Sequence, residues 1–181
     1  MQNAVTRLSF NDLTEPVPNA LSEIFHVMIQ WRGFEVALNY DLSKAYQSIM
    51  TGSLELHLRR VVFREDPKQP WKTYGYGSVT FGDDPAACAL ELCKNKTARD
   101  ALHVDFIAAT QLICAGFVDD IGGGGSPEEV ARMKGKKGED GSYSGTLPKV
   151  LSYGGFHAKA LVESGNCDDE EAAALGIPPE S

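Results

Sequence analysis

Two adjacent acids held between two apolar arms constrain this chain more than any other local pattern. In Ile113-Cys114-Ala115-Gly116-Phe117-Val118-Asp119-Asp120-Ile121-Gly122 the arms read as hairpin strands whose turn presents Asp119 and Asp120. An acid pair alone is most often a solvated turn. A third acid gives this one weight: the apolar run Phe34-Glu35-Val36-Ala37-Leu38-Asn39-Tyr40 reads as a buried strand and ends on Asp41. Asp41 on its own also fits an N-cap for the residues that follow. If the two elements are sheet neighbours, their acids meet at one edge of the sheet's open face. Crowded carboxylates repel and raise one another's pKa unless a cation compensates. A hard divalent ion is the natural compensator, since Mg²⁺ commonly takes one or two carboxylates plus substrate phosphates. Two such ions, about 4 Å apart, activate an attacking hydroxyl and stabilise a leaving oxygen.

The surrounding chain supplies helices and further strands. Residues 18–32 place Leu21, Ile24, Phe25, Met28 and Ile29 on one face at helical spacing, and Gly33 stops that helix. Leu42 to Ile49 reads as a short helix or turn. Arg59 to Phe63 and Lys72 to Thr80 read as strands, with Pro67 and Pro70 keeping the connector between them out of a ladder. A helix is predicted from Pro85 to about Asn95, with helical character resuming over residues 97–111. After the acidic hairpin, Ser126, Pro127 and Glu129 form a capping-box signature for a helix to about Lys134. The glycines at 122–125 read as an unusually flexible return strand of the acidic hairpin, with 122–126 also resembling a flexible turn, and the stretch 135–145 as a loosened chain. A last strand or hairpin near Leu151–Leu161 leads into an acidic tail over residues 167–181, expected to be partly ordered. The order implies an α+β fold: a small antiparallel sheet with helices packed on one face and the other face free.

Length and charge bound the rest. With 181 residues and 43% hydrophobic content the chain suffices for one compact domain with a full core. Cys88, Cys93, Cys114 and Cys167 lack disulfide or zinc-knuckle spacing and are expected to be reduced. No apolar run reaches a membrane span and no signal peptide is evident, so an intracellular setting without a membrane is expected, cytoplasm and nucleus being undistinguished. The formal charge of −8 counts against an autonomous nucleic-acid binder, whose footprint is usually basic.

Several segments in order resemble the reverse transcriptase palm, particularly that of Pao/BEL-type retrotransposons. Tyr40-Asp41-Leu42-Ser43-Lys44-Ala45-Tyr46-Gln47-Ser48-Ile49 is similar to the family's first catalytic motif, a strand-terminal Asp with an aromatic five positions on. Phe81-Gly82-Asp83-Asp84-Pro85-Ala86 resembles the second motif, Phe117-Val118-Asp119-Asp120 the (Tyr/Phe)-x-Asp-Asp motif, and Gly154-Gly155-Phe156-His157-Ala158-Lys159-Ala160-Leu161 a later segment. Pro18-Asn19-Ala20-Leu21 looks like the lead-in, and the likeness spans roughly residues 15–166. The implied boundaries are a palm with partial fingers over 1–166 and the acidic tail beyond.

The resemblance implies templated DNA synthesis from deoxynucleoside triphosphates on a primer-template, with RNA or DNA as template. Asp41 and Asp119 would be the principal ligands of Mg²⁺, or Mn²⁺, with Asp120 beside them. Leu42, Ser43, Lys44 and Ala45 would cradle the triphosphate through their backbone. Tyr46 would stand where a ribose 2′-hydroxyl needs room, and otherwise reads as a core aromatic. Phe81 and Gly82 would position nucleotide and template, and Lys159 would sit near the pyrophosphate. Arg59, Arg60 and Arg64 read equally as phosphate contacts or a solvated patch. Asp83 and Asp84 depart from the family pattern and read as caps for the helix at Pro85. The thumb and any RNase H region of a larger polyprotein lie outside these residues. The alternative is a catalytically inactive, retroelement-derived nucleic-acid-binding or assembly module.

Overall fold

Strand β1 (Val36–Leu42) buries Leu38, Tyr40 and Leu42 on one face and leaves Asn39 and Asp41 half-buried on the other. Period-two burial is what a strand shows when one face meets the core and the other does not. The computed structural model describes Asp12 and residues 24–164. Within them β1 is an interior strand of a four-stranded sheet ordered β4 (Gly116–Phe117), β5 (Asp120–Gly125), β1 and β6 (Ala158–Glu163), with every neighbouring pair antiparallel. The architecture is α+β.

Helices α2 (Ala86–Asp100), α3 (Phe106–Cys114), α4 (Pro127–Lys134) and α5 (Thr146–Ser152) close the core against that sheet. Leu90, Leu112, Val130 and Leu151 from these helices share one apolar cluster with Leu38, Ile121 and Leu161 from the strands. One buried carboxylate ties three of the helices. Asp105 caps α3 by accepting from the N–H groups of Ile107 and Ala108, and also accepts from Arg132 on α4 and Thr146 on α5. The capping box read from Ser126 and Glu129 is formed in full at the start of α4.

The glycine run is a strand, not a flexible turn. Gly122 to Gly125 pair residue by residue with Asn39 to Val36. Their lack of a side chain is a packing requirement. A Cβ on Gly122 would lie 3.3 Å from the Trp31 ring, one on Gly123 would collide with the Gln111 amide, and one on Gly124 would strike Phe34 and the Val36 carbonyl. Gln111 occupies the space over Gly123 and brackets Gly124, accepting from its N–H and donating to its carbonyl. Trp31 and Gln111 sit over successive residues of β5 and therefore on opposite sides of it. Helix α1 (Ile24–Arg32) is thus not in the core layer, contrary to the one-face expectation.

Other expectations shift for physical reasons. The apolar face read on the first helix is exposed: Phe25 and Ile29 are more than two-thirds accessible, and Val27 is the buried residue of α1. The portion of that helix before Ile24, the lead-in at residues 18–21, Cys167 and the acidic tail lie outside the described residues. Strand β1 runs on through Leu42, so Asp41 lies inside the ladder. The helical character over residues 97–111 is interrupted, α2 ending at Asp100 and α3 starting at its Asp105 cap. Helix α5 occupies Thr146–Ser152, just after the stretch read as loosened chain, and takes Leu151 and Ser152 from the segment read as the final strand. The N-cap position of α2 is Pro85, without a side-chain hydrogen bond, and the Asp83 carboxylate is engaged by Thr80 and Arg59 instead. The excursion after β1 does contain two paired strands, β2 (Arg60–Phe63) and β3 (Lys72–Gly75), in a separate hairpin exposed along its length.

Because Gln111 and a Cβ cannot share the space over β5, Gly123→Ala is expected to lower unfolding free energy by about 2–3 kcal/mol. Gly52, whose Cβ would meet open space, should tolerate Ala within about 0.5 kcal/mol. Urea denaturation reads both, and equal small shifts would show that Gln111 yields freely.

Candidate functional site

The sheet register brings the three acids together. Asp41 and Asp120 are direct partners across β1 and β5, and the Leu42 N–H donates to the Asp119 carbonyl at 3.1 Å. The acidic turn is therefore stitched to the end of β1 by backbone alone. On the other flank, β6 pairs Asp41 with Ala160 and Leu42 with Ala158, an irregularity that leaves Lys159 opposite the bend. Lys159 Nζ lies 3.5 Å from Asp41 Oδ2. Its side chain is largely exposed, so this pair contributes little to stability.

A cavity of about 310 Å³ opens at this edge. Its wall is the continuous segment Asp41–Gln47 together with Phe81, Asp119 and Lys159. Asp41, Leu42, Ser43, Lys44, Ala45, Tyr46, Phe81, Asp119 and Lys159 were all singled out from the sequence; Gln47 was not. Asp120 and Gly82 lie outside the wall. Gly82 has φ 86° in the turn that carries Phe81, a conformation suited to glycine. Tyr46 is buried, as a core aromatic would be, yet it also lines the cavity, its ring meeting Phe81 edge-on with centroids 4.5 Å apart.

Electrostatics and backbone strain concentrate here. Burial, then the negative charges of Asp119 and Asp41, raise the Asp120 carboxyl above its ordinary value, against a smaller opposing pull from Lys94. Burial and the charge of Asp119 push the Tyr46 phenol up. Lys44 at φ 52° and Val118 at φ 56° are the non-glycine residues with positive φ among those described, and both adjoin the acids. For β-branched Val118 that conformation is a true outlier. Such strain persists only where surrounding structure over-determines it, and it gathers at functional sites.

The candidate donor set suits an ion that completes its shell elsewhere. Asp41 and Asp119 face one cavity, and Mg²⁺ binds through one or two carboxylates plus substrate oxygens and water. Among the described residues no group of three or more His, Cys, Asp or Glu side chains forms a ready-made metal cage. A larger cavity of about 460 Å³ between α1 and α3 has no charged residue in its lining.

The arginines behave differently from a phosphate-binding patch. Arg59 is buried with its guanidinium on Asp83 and within 3.3 Å of the Thr80 hydroxyl, Arg60 contacts His57, and Arg64 stacks over Trp71. Asp83 thereby fixes the turn that carries Phe81. Sequence reasoning also missed Glu91 and Lys94, fully buried in α2. The signal was present: Leu90, Lys94 and Ala98 recur every four residues on the buried face of that helix.

No family model matches the chain, and no curated protein matches it. Cys88, Cys93 and Cys114 form no disulfide among the described residues, and no helix among those residues is long and apolar enough to cross a membrane.

Two carboxylates should move stability in opposite directions. Asp120 has a raised folded-state pKa, so the folded chain binds its proton more readily and the ionised form is penalised at pH 7. Asp120→Asn should therefore raise the melting temperature at pH 7, the gain shrinking as acid protonates the wild-type group. Burial alone would raise Asp83, but hydrogen bonds from Thr80 and the Arg59 contact outweigh it and hold the group low. Its stabilisation is full above the unfolded carboxylate value of about 3.9 and is lost as pH falls through the lower folded value. Asp83→Asn should lower the melting temperature at pH 7, and the deficit should close in acid. Melting curves across pH test both signs.

Proposed function

We propose that the chain is the palm segment, with partial fingers, of an RNA-directed DNA polymerase of the reverse transcriptase type. The observation that carries this reading is the single cavity wall on which Asp41, Asp119, Tyr46, Phe81 and Lys159 converge from four separate parts of the chain. The resemblance drawn from sequence motifs assigned those residues to one site, and the sheet register supplies a physical route to it.

In this reading Asp41 and Asp119 hold divalent ions, with Asp120 adding negative field. Mg²⁺ or Mn²⁺ held there would supply the positive charge for activating a hydroxyl and compensating a leaving oxygen. The protein's own work is placement. The segment Leu42–Ala45 offers backbone groups to a triphosphate, and positive φ at Lys44 turns that segment sharply. Tyr46, fixed by burial and by the Phe81 edge, presents a rigid aromatic surface to the sugar and disfavours an added 2′-hydroxyl. Lys159, exposed and loosely held by Asp41, is free to swing onto the departing pyrophosphate. Positioning and charge compensation are the main tasks in such a transfer. Partners in this reading are a primer-template, deoxynucleoside triphosphates and the thumb and nuclease regions of a longer polyprotein.

A second reading, a non-catalytic binding or assembly module, is favoured by one feature. The β2–β3 hairpin exposes Val61, Val62, Phe63 and Trp71, and an isolated two-stranded hairpin is marginal without a covering partner. Primer extension on an oligo(dT)-primed poly(rA) template with Mg²⁺ or Mn²⁺ separates the two. The polymerase reading expects deoxythymidylate addition that falls roughly 100-fold or more in Asp119→Asn. Primer-template binding with no extension supports the module, and absence of both overturns the two readings together.

A further inference from the structure

Directly beneath the acidic hairpin lies an ion pair that the proposed reaction does not use. Lys94 and Glu91, one turn apart on α2, are 0% and 1% exposed, with Nζ 2.8 Å from Oε2. Among the described residues neither of these two atoms has a hydrogen-bond partner, so the contact is an ion pair alone. Such a pair is a poor device for stability, because well-packed apolar side chains of similar size are commonly as stable or more so. Its position offers another reason. A Cβ on Gly116 would lie 2.7 Å from Lys94 Nζ, so the ammonium rests against the first residue of β4. The next residue of that strand, Phe117, pairs with Asp120. The hairpin is thus built with a glycine where the cation must fit and an acid one pair further on.

We infer that Lys94, oriented by Glu91, is a resident counter-cation of the acidic hairpin. Its fixed charge holds Asp41, Asp119 and Asp120 together while no divalent ion is bound, and it competes with such an ion when one arrives. The inference rests on the reading of those acids as a divalent-cation site. Geometry carries it: a fully buried ammonium that rests against the first residue of β4, with Glu91 beside it. A site kept half-compensated in this way stays folded when empty and binds its ion weakly enough to need substrate oxygens to complete the shell. Lys94 touches no reacting atom and acts through the acids, so it is a positioning residue.

The test is Mn²⁺ binding to the full-length chain, read from the electron paramagnetic resonance signal of free Mn²⁺. Glu91→Gln/Lys94→Gln is expected to bind Mn²⁺ more tightly, on the order of tenfold, because the buried cation against β4 is gone. The exposed pair Lys96–Asp100 on the same helix is the control. Lys96→Gln/Asp100→Asn should bind as the unaltered chain does. If the polar double variant does not fold, Glu91→Leu/Lys94→Met keeps the volume with an apolar pair and should show the same tightening. Unchanged or weaker binding in the buried-pair variant, an equal shift in the control, or failure of both buried-pair variants to fold overturns the inference. An unaltered chain that takes up no Mn²⁺ overturns the cation-site reading itself, a different result from any of these.

Discussion

Close approach to the backbone of β5 is the constraint on which the rest of the structure depends. Four consecutive glycines are a poor choice for a strand by propensity, each costing about 0.5–1 kcal/mol of extra chain entropy relative to alanine. Here their absent side chains are occupied volume. Trp31 fills one side at Gly122, Gln111 the other at Gly123, and Phe34 closes on Gly124. Gln111 then satisfies both polar groups of Gly124, so a buried backbone keeps its hydrogen bonds where no outer strand reaches it. Seated in this way, β5 pairs with β1 along its whole length, and that register sets Asp120 opposite Asp41 and draws Asp119 onto Leu42. The acid cluster is a consequence of how helices grip a strand that has no side chains of its own.

How much of this was legible in the sequence follows from which forces were local. The capping box at Ser126 and Glu129 was readable because all its partners lie within four residues. The acids of the site, the Tyr46 position and the Phe81 turn were readable as ordered motifs, and the structure brings most of them to one cavity wall. The glycine run was read as flexible because flexibility is the intrinsic property of glycine, whereas here tertiary neighbours decide its state. The first helix failed in the opposite sense. Its apolar spacing gives a correct helix, but periodicity cannot say whether a partner covers that face. Helix α5 was missed because Thr146, Pro148 and Ser152 are weak formers, and Leu147, Val150 and Leu151 are held by burial. Asp83 read locally as a cap, while its partner Arg59 stands 24 residues earlier, a separation no local pattern reports.

The costs of the structure are gathered at one end of the sheet and its compensations lie elsewhere. Val118 and Lys44 hold positive φ, Asp120 is crowded by two like charges, and Lys94 is buried with a single partner. Each of these is unfavourable alone. Against them stand the contiguous core under β1 and the Asp105 node. There, burial would raise the carboxyl, but donors from Thr146, Ala108 and Arg132 outweigh it and keep the group ionised. That node joins α3, α4 and α5 into one rigid layer behind the strained turn. Strain confined to an edge and backed by a satisfied core is the arrangement expected when local geometry serves something other than stability.

The exposed hairpin and the cavity are mechanically one unit. Strands β2 and β3 hold few side chains in the core, and their base is tied down by the Tyr76 N–H to the Arg59 carbonyl and by the Met50–Ser78 bridge. Arg59 also reaches the Asp83 carboxylate, and the Thr80 N–H and hydroxyl donate to that same carboxylate. Phe81 follows directly in the chain and leans on Tyr46. The Arg59 guanidinium therefore joins the base of the hairpin to the turn that carries the aromatic edge of the cavity, alongside the backbone bonds of residues 76–79. The acids are fixed by β-pairing while Phe81 is fixed by an ion pair, so the two walls of the same cavity answer to different forces. The acidic wall is as rigid as the ladder behind it. The aromatic wall is only as rigid as the contact between Arg59 and Asp83.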